Sequence, residues 1–388
     1  MTEEPAVSSV SGALTAVPIS PFHASLTFVR LVVERDWRSF VVTLACCSVA
    51  ALVTCFQYSV YTSFVRASAV APRYIGGDVW VTAATVECFD FPTPINEDYA
   101  AAVARFLPGA TFRRAVFGFA TWRSPSGRRG NVAVIGVDGA QVDDLGFIVD
   151  RADLARLDLG DAPPGGQTLA TISNTTLRFA GTTDQLPTFL GAPYIVVTLD
   201  RGRALLGMDP STTSFLIGDL PAPERAHIVP ASRAAASTFP DIAIRSAADF
   251  RDSSAAYWQG KTGAGMAILL AAVLAGLLMT ILLANGVLRF IQRYHYDLIS
   301  LLGHGAGKRD IALIVAGIAL VIAVVTLITA IAGTPVIIRA VAPLLPWTSF
   351  QWSDAIVPTC AITGALLVAM AAASNAIASY GPEAVFRT

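Results

Sequence analysis

The stretch Arg289–Asp310, RFIQRYHYDLISLLGHGAGKRD, decides how this chain is organised. It is short and charged, and on each side it adjoins an apolar run long enough to cross a lipid bilayer. Its middle has helical spacing, with three leucines on one face: Leu298, Leu301 and Leu302. Three glycines follow, as is usual where a helix ends: Gly303, Gly305 and Gly307. The pattern predicts a short helix held between two membrane spans.

Composition also predicts a membrane protein. Of the 388 residues, 54% are hydrophobic and 14% are charged, and the mean hydropathy is +0.59, whereas a soluble domain carries roughly 25% charged residues. Four charge-free runs each exceed the ~20 residues that span hydrocarbon: Ser39–Val65, Thr262–Leu288, Ile311–Ile338 and Ala355–Gly381. The predicted transmembrane helices are 41–65, 262–288, 311–338 and 355–380. We therefore expect an α-helical membrane protein with four transmembrane helices and a large α+β extracytoplasmic domain between the first and second.

The distribution of basic residues predicts the orientation. Basic residues precede the first span, follow the fourth, and cluster in the loop 289–310, whereas the loop 339–354 has only Arg339. Both termini are therefore expected in the cytoplasm, with the chain in the plasma (inner) membrane and 66–260 outside. Residues 24–40 are predicted to form an amphipathic helix on the cytoplasmic leaflet, the alternative being a plain basic flank. Residues 1–23 are expected to be a disordered tail and 381–388 a cytoplasmic tail.

The segment 66–260 has the composition of a soluble domain, with seventeen basic and twenty acidic residues. Five runs between turn signals predict strands: Asp78–Thr82, Ala115–Trp122, Asn131–Val137, Tyr194–Leu199 and Ser214–Ile217. Helical stretches between them are Glu97–Phe106 and Asp200–Leu206. The Pro/Gly-rich Asp161–Gly166 (DAPPGG) is a candidate boundary between two subdomains.

The sequence offers no candidate catalytic, metal or cofactor site. Gly260-Lys261-Thr262 and Gly307-Lys308 resemble the end of a phosphate-binding loop, but Ala255 and Leu302 stand where its first glycine belongs. His and Cys residues are scattered without metal-ligand spacing, and no basic patch with interleaved aromatics indicates nucleic-acid binding. The predicted spans hold no Asp, Glu, Lys, Arg or His, which argues against an ion-coupled transporter.

Three local patterns carry a resemblance to a known family. Tyr257-Trp258 precedes Thr262-Gly263-Ala264-Gly265 at the start of the second span. Asp297, Leu301, Gly305 and Ala306 fit the pattern E-x-x-x-L-x-x-x-G-A, and the tail around Arg387 is similar to D-P-x-x-x-L-R. With the arrangement of one span, an outer domain and three spans, the chain resembles the MacB/FtsX-type ABC transporter permeases, closest to the DevC-like branch. Asp297 departs from that pattern, since it replaces the usual Glu.

This resemblance implies a non-enzymatic permease subunit. ATP and Mg²⁺ would be bound by a separate ABC-type ATPase subunit, and a second permease copy or paralogue would complete a dimer in the lipid bilayer. Family members often work beside a periplasmic adaptor protein, which is a further implied partner. The expected ATPase-contact residues lie in the inner loop: Asp297, Leu298, Leu301, Leu302, Gly305, Lys308 and Arg309. The leucine stripe would fill a groove in the ATPase, so that Leu301→Asp would prevent association.

Three alternatives remain open from the sequence. The inner-loop leucines can instead pack against the chain's own membrane spans. The protein can instead be a membrane sensor or scaffold whose outer domain binds a ligand without transport. A membrane-bound hydrolase would need a catalytic cluster, which the sequence does not provide.

Overall fold

The computed structural model describes Thr27, Arg30, Glu34, Arg35 and residues 37–160, 168–189, 191–303 and 306–378. The chain divides into two compact units. The first comprises Met1–Ala51, Gly276–Thr329 and Thr359–Thr388, and the second comprises Leu52–Ala275 and Ala330–Pro358. Both predicted tails, most of the predicted amphipathic helix 24–40 and the segment 161–166 lie outside the described residues.

Ten α-helices and eleven strands are present in the described part of the chain. The helices are α1 Trp37–Ala67, α2 Val70–Ile75, α3 Tyr99–Val103, α4 Leu199–Leu206, α5 Ile228–Thr238, α6 Ala247–Ala256, α7 Ala264–Arg293, α8 His295–Gly303, α9 Lys308–Val341 and α10 Ile356–Ala378. The strands are β1 Val79–Ala83, β2 Ile95–Asn96, β3 Thr111–Arg123, β4 Arg129–Val137, β5 Gly146–Asp150, β6 Leu169–Ile172, β7 Thr175–Thr183, β8 Tyr194–Thr198, β9 Thr212–Thr213, β10 Phe215–Asp219 and β11 Ile242–Ser246.

Four helices of the described chain are long and apolar enough to cross a membrane: Trp37–Ala67, Ala264–Arg293, Lys308–Val341 and Trp352–Asn375. They correspond to the four predicted spans. Each of them extends beyond a predicted end, to Trp37, Arg293, Lys308 and Trp352 respectively. Such extension is expected, because backbone hydrogen bonding continues past the apolar run and long basic side chains reach out of the lipid.

The α+β domain in the second unit is organised by the thirteen-residue strand β3. Its first residues pair with β10, and its last two, Trp122 and Arg123, pair with β6. The main sheet has the order β11-β1-β10-β3-β4-β8-β5-β7-β6. Because β6 also pairs with β3, six neighbouring strands of this sheet close into a barrel, in the order β3-β4-β8-β5-β7-β6. All five predicted strands are present, as β1, β3, β4, β8 and β10.

Two hydrophobic cores lie on the two parts of this sheet. One fills the barrel and includes Trp122, Phe147 and Phe179. The other surrounds β1, whose five residues are all buried, as expected for a strand paired on both edges and covered on both faces. In that core Trp80 stacks on Phe250, with ring centroids 4.9 Å apart. Since β3 contributes to both cores, the two parts share one continuous strand.

A buried ion pair fixes the last turn of α1 within the second unit. Arg66 donates two hydrogen bonds to the carboxylate of Asp354, at 2.8 and 3.0 Å, and the Asp354 side chain is only 2% exposed. The same guanidinium bonds the backbone oxygen of Ser349 at 3.0 Å. Ser63 donates to that oxygen as well, at 2.7 Å. These bonds hold the end of α1 against the residues that lead into α10.

Candidate functional site

Helix α8 is nearly continuous with α7. Only Tyr294 separates them, and backbone hydrogen bonds continue across it, from the Tyr294 amide to the Phe290 carbonyl (3.1 Å) and from the Leu298 amide to the Tyr294 carbonyl (2.9 Å). The rings of Phe290 and Tyr294 pack with centroids 4.8 Å apart. The predicted inner loop therefore begins as an extension of the apolar helix, so a displacement of α8 acts directly on α7.

One face of α8 is buried and the other is exposed. Leu298 is fully buried and Ile299 is 9% exposed, whereas Tyr296 is 71% exposed. Asp297 and Ser300 are exposed beside Tyr296, and Leu301 is half-buried. The side chain of Leu302 lies outside what the structure describes. Leu298 thus packs against its own chain, which is one of the alternatives stated above, and the exposed face of α8 carries Tyr296, Asp297 and Ser300.

Both boundaries of the turn after α8 are defined by hydrogen bonds. The amide of Ala306 donates to the carbonyl of Leu301 (3.0 Å), which satisfies a carbonyl at the end of α8. The carboxylate of Asp310 accepts from the amide of Gly307 (2.8 Å) at the start of α9. Lys308 and Arg309 are exposed in the first turn of α9. Gly305 lies outside the described residues.

Asp297 has a basic neighbour from another part of the first unit. The guanidinium of Arg35 lies 3.6 Å from its carboxylate, with 76% and 48% of the two side chains exposed. An exposed pair of this kind contributes about 0–1 kcal/mol. It therefore orients α8 only weakly, and a partner that competes for Asp297 loses little by breaking it.

The pattern Tyr257-Trp258…Thr262-Gly263-Ala264-Gly265 forms the junction between the α+β domain and α7. Tyr257–Lys261 is a π-helical turn, and Thr262 caps α7 by accepting from the amide of Ala264 (3.3 Å). Gly263 has φ +72°, which a side chain would strain. A Cβ on Gly265 would lie 2.6 Å from the Cα of Gln259. The two glycines therefore permit the tight turn into the helix.

Lys261, which belongs to the rejected phosphate-loop fragment, has a structural partner. Its ammonium lies 2.6 Å from the carboxylate of Glu87 in the α+β domain. The pair is roughly half exposed. Lys261 therefore helps to hold the junction to the domain.

A buried carboxylate lies beneath this junction. The indole N–H of Trp258 donates to Oδ2 of Asp90 (2.8 Å), and the Tyr194 hydroxyl donates to Oδ1 (3.4 Å). Asp90 is 3% exposed and Tyr194 1% exposed. Trp258 also packs edge-on against Phe189, with centroids 5.2 Å apart. Through Trp258, the turn before α7 is hydrogen-bonded to the interior of the α+β domain.

Burial controls the protonation of this carboxylate. Desolvation raises the pKa of Asp90 to about 6, although the hydrogen bonds from Trp258 and Tyr194 oppose that rise. The same burial, together with the Asp90 charge, raises the pKa of Tyr194 well above its ordinary value. The thiol of Cys88 is also shifted, since burial raises its pKa to about 11. At neutral pH Asp90 is therefore mostly ionised and accepts both hydrogen bonds.

We expect Asp90 to make the stability of the protein depend on pH. Its pKa in the folded state lies above the ordinary 3.8, so the folded state holds the proton while the unfolded state releases it. Ionising the buried Asp90 therefore lowers the free energy of unfolding. This loss of stability is absent below about pH 4, grows as the pH rises, and reaches its full value of roughly 2–3 kcal/mol above about pH 6. Asp90→Asn should remove this fall from the thermal unfolding profile of the purified protein.

Asp252→Asn is the matched control, because Asp252 is exposed on α6. Its profile should retain the fall between pH 4 and 6. An Asp90→Asn profile that is parallel to the wild type would contradict the assignment.

The described residues contain no group of three or more His, Cys, Asp or Glu that could hold a metal ion.

Comparison with known proteins gives distant structural matches only. No protein-family model matches the chain, and no curated protein matches it. The extracellular domain of YknZ, a noncanonical ABC-type transporter from Gram-positive bacteria, aligns at 10% identity and TM-score 0.32, over 44% of this chain and 100% of that one. The periplasmic region of MacB from Actinobacillus actinomycetemcomitans aligns at 5% identity and TM-score 0.35, over 46% and 92%. At these levels neither match establishes the family.

Two residues of the candidate site, Asp90 and Tyr296, were not identified from the sequence. Asp90 stands in Cys88–Pro92 (CFDFP), where no local pattern signals that its carboxylate is buried. Tyr296 adjoins Asp297, but its exposure could not be read from the leucine spacing alone. Asp297, Lys308 and Arg309 are exposed as a contact surface requires.

Proposed function

We propose that this chain is the permease subunit of an ABC-type exporter or mechanotransmission complex. A separate ATPase subunit hydrolyses ATP, and the permease converts that motion into movement of an extracytoplasmic α+β domain. The observation that carries the proposal is α8, a short helix between two long apolar helices that presents Tyr296, Asp297 and Ser300 to solvent. The inner-loop pattern that resembles the MacB/FtsX-type permeases includes this helix.

The exposed face of α8 is suited to the ATPase. Tyr296 supplies an aromatic anchor of the kind that dominates protein interfaces. Asp297 beside it, and Lys308 and Arg309 after the turn, supply charges that set orientation more than affinity. The anchor is thus Tyr296, with the leucines Leu298 and Leu301 serving to fix α8 against its own chain.

The coupling route runs along α7. This helix is continuous over 30 residues, or about 45 Å, so a push on α8 reaches the junction at Trp258. There the bond from Trp258 to the buried Asp90 connects the motion to the α+β domain. In this proposal a second permease copy or paralogue completes the dimer, and a periplasmic adaptor can extend it.

Affinity purification of the full-length chain from its native membrane tests the proposal. Mass spectrometry of the co-eluting polypeptides should identify an ABC-type ATPase in stoichiometric amount, and ATP hydrolysis should follow that polypeptide. The chain isolated from it should neither bind nor hydrolyse ATP. Recovery of a folded chain with no ATPase at any salt concentration would contradict the proposal.

The proposal also requires both termini in the cytoplasm and the α+β domain outside. In a cysteine-free background, Asp241→Cys should react with a membrane-impermeant maleimide in intact cells, because Asp241 is exposed in the α+β domain. Thr388→Cys should react only after the membrane is permeabilised. Labelling of the two positions in the reverse order would show an inverted chain.

A sensor or scaffold function is the second candidate, and one observation favours it. A cavity of about 560 Å³ opens at one end of the barrel, lined by polar and basic side chains that include Arg123, Arg129 and Asn131. A ligand bound there could be detected without transport. The purification separates the two candidates, because a sensor would co-elute with a signalling partner and not with an ABC-type ATPase.

A further inference from the structure

A second cavity, of about 610 Å³, lies between α1, α7 and α9 within the first unit. Its volume is within the range of small-molecule sites. Its walls are formed by Arg38 and Phe40 of α1, Arg289 and Phe290 of α7, Ile318 and Ile322 of α9, and their neighbours on the same helices. At its inner end α1 and α7 come close together, because a Cβ on Gly286 would lie 2.8 Å from Cγ2 of Thr43. The cavity is therefore bounded by helix contact on one side.

Positive charge dominates the polar part of this cavity. Three arginines line it and no lining residue is a carboxylate. Arg289 and Arg293 are one helical turn apart on α7, where two like charges repel each other. Among the described residues no ion pair links Arg38 or Arg289 to an acid, and the Arg38 guanidinium lies 5.8 Å over the ring of Trp37. An anion in the cavity would pair with Arg38 and Arg289.

Part of the remaining wall is apolar. Phe40 and Val42 from α1 supply its accessible apolar side chains, and the buried Phe290, Ile318 and Ile322 lie behind them. Val42 is 62% exposed, so the apolar side is open towards the surroundings of the helix. A soluble anion would gain nothing from this wall. A molecule with a phosphate at one end and hydrocarbon at the other would satisfy both parts.

We propose that this cavity binds one anionic phospholipid, with Arg38 and Arg289 holding its phosphate and the apolar wall holding the start of its acyl chains. The proposal rests on the four apolar helices spanning a membrane and is independent of the ATPase partnership. Basic pockets between membrane helices are suited to such headgroups. Each arginine near the phosphate contributes about five- to sixfold to affinity, so the pair contributes about 30-fold.

Native mass spectrometry of the delipidated, full-length protein tests this site. Wild-type protein titrated with phosphatidylglycerol should take up one tightly bound lipid, and phosphatidylcholine should bind at least tenfold more weakly. The double variant Arg38→Gln, Arg289→Gln should weaken phosphatidylglycerol binding by about 30-fold. Arg38→Lys, Arg289→Lys keeps the charge and should retain most of the affinity, which separates the lost charge from a folding defect.

Arg339→Gln is the matched control, because Arg339 is an exposed arginine at the opposite end of α9. It should change the affinity by less than about twofold, since its charge lies at the other end of that helix. Equal binding of the two lipids, or full retention by the double glutamine variant, would overturn the proposal. Displacement of the lipid by inorganic phosphate at millimolar concentration would show a site for a free anion. Occlusion of the cavity by a second copy of the chain, with no lipid retained, would also overturn it.

Discussion

Replacing Tyr296 with aspartate is expected to remove the ATPase from the purified complex. Tyr296 is 71% exposed on α8, so the substitution leaves the packing of the chain intact. In the complex it would place an unpaired carboxylate where an aromatic anchor is buried. Loss of such an anchor costs about 2–4 kcal/mol of binding free energy, which is a 30- to 1000-fold fall in affinity. The measurement is the ratio of ATPase to permease after affinity purification.

Two controls isolate this effect. Tyr296→Phe keeps the ring and should retain most of the ATPase. Leu344→Asp introduces the same charge at a residue that is 75% exposed after α9, and it should leave the ratio unchanged. Leu301→Asp also introduces a charge, but Leu301 is half-buried and its loss would disturb α8 itself. A Tyr296→Asp complex with undiminished ATPase would show that α8 is not the contact.

Loss of Arg66 should destabilise the chain more than any exposed substitution. Arg66→Met leaves the carboxylate of Asp354 buried, and within the described part of the chain the amide of Gln351 (2.9 Å) is its remaining hydrogen-bond donor. Breaking a buried pair by removing one partner costs about 3–5 kcal/mol. We expect a large fall in the thermal unfolding midpoint of the purified protein.

A double substitution tests the cause of that fall. Arg66→Met with Asp354→Asn should recover part of the lost stability, because no buried charge is then unpaired. The matched control is Arg30→Met, which breaks the Arg30–Glu34 pair, in which 80% and 57% of the side chains are exposed. This control should change the free energy of unfolding by less than about 1 kcal/mol. An Arg66→Met variant as stable as this control would contradict the role of the buried pair.

The helices and strands could be predicted from the sequence, whereas the closure of the sheet into a barrel could not. The four long helices could be predicted from the apolar runs, because a charge-free run of that length has few stable structures other than a membrane-spanning helix. The alternating strands gave β1, β3, β4, β8 and β10. The barrel depends on β6 pairing with the last two residues of β3. These two strands are separated by about fifty residues of sequence. Such non-local register leaves no periodicity in either strand.

The sequence predicted the helix α8 but not which of its faces is exposed. Charge and glycine placement located α8, whereas the leucine stripe gave an apolar face without showing what it contacts. In the structure Leu298 packs into the chain, and the exposed face is polar and aromatic. Asp90 was missed because its partners, Trp258 and Tyr194, lie more than one hundred residues further along the chain. Only the folded chain brings that carboxylate to the start of α7.

Site-specific photo-crosslinking at position 296 tests the central claim most directly. A photoreactive phenylalanine analogue replaces Tyr296 in the full-length chain, and a second sample carries it at Leu344 as the control. After irradiation of native membranes, position 296 should form a crosslink to an ABC-type ATPase, identified by mass spectrometry, and position 344 should not. The contradicting result is a folded, membrane-inserted chain whose position 296 crosslinks to no ATPase, or only to a signalling protein.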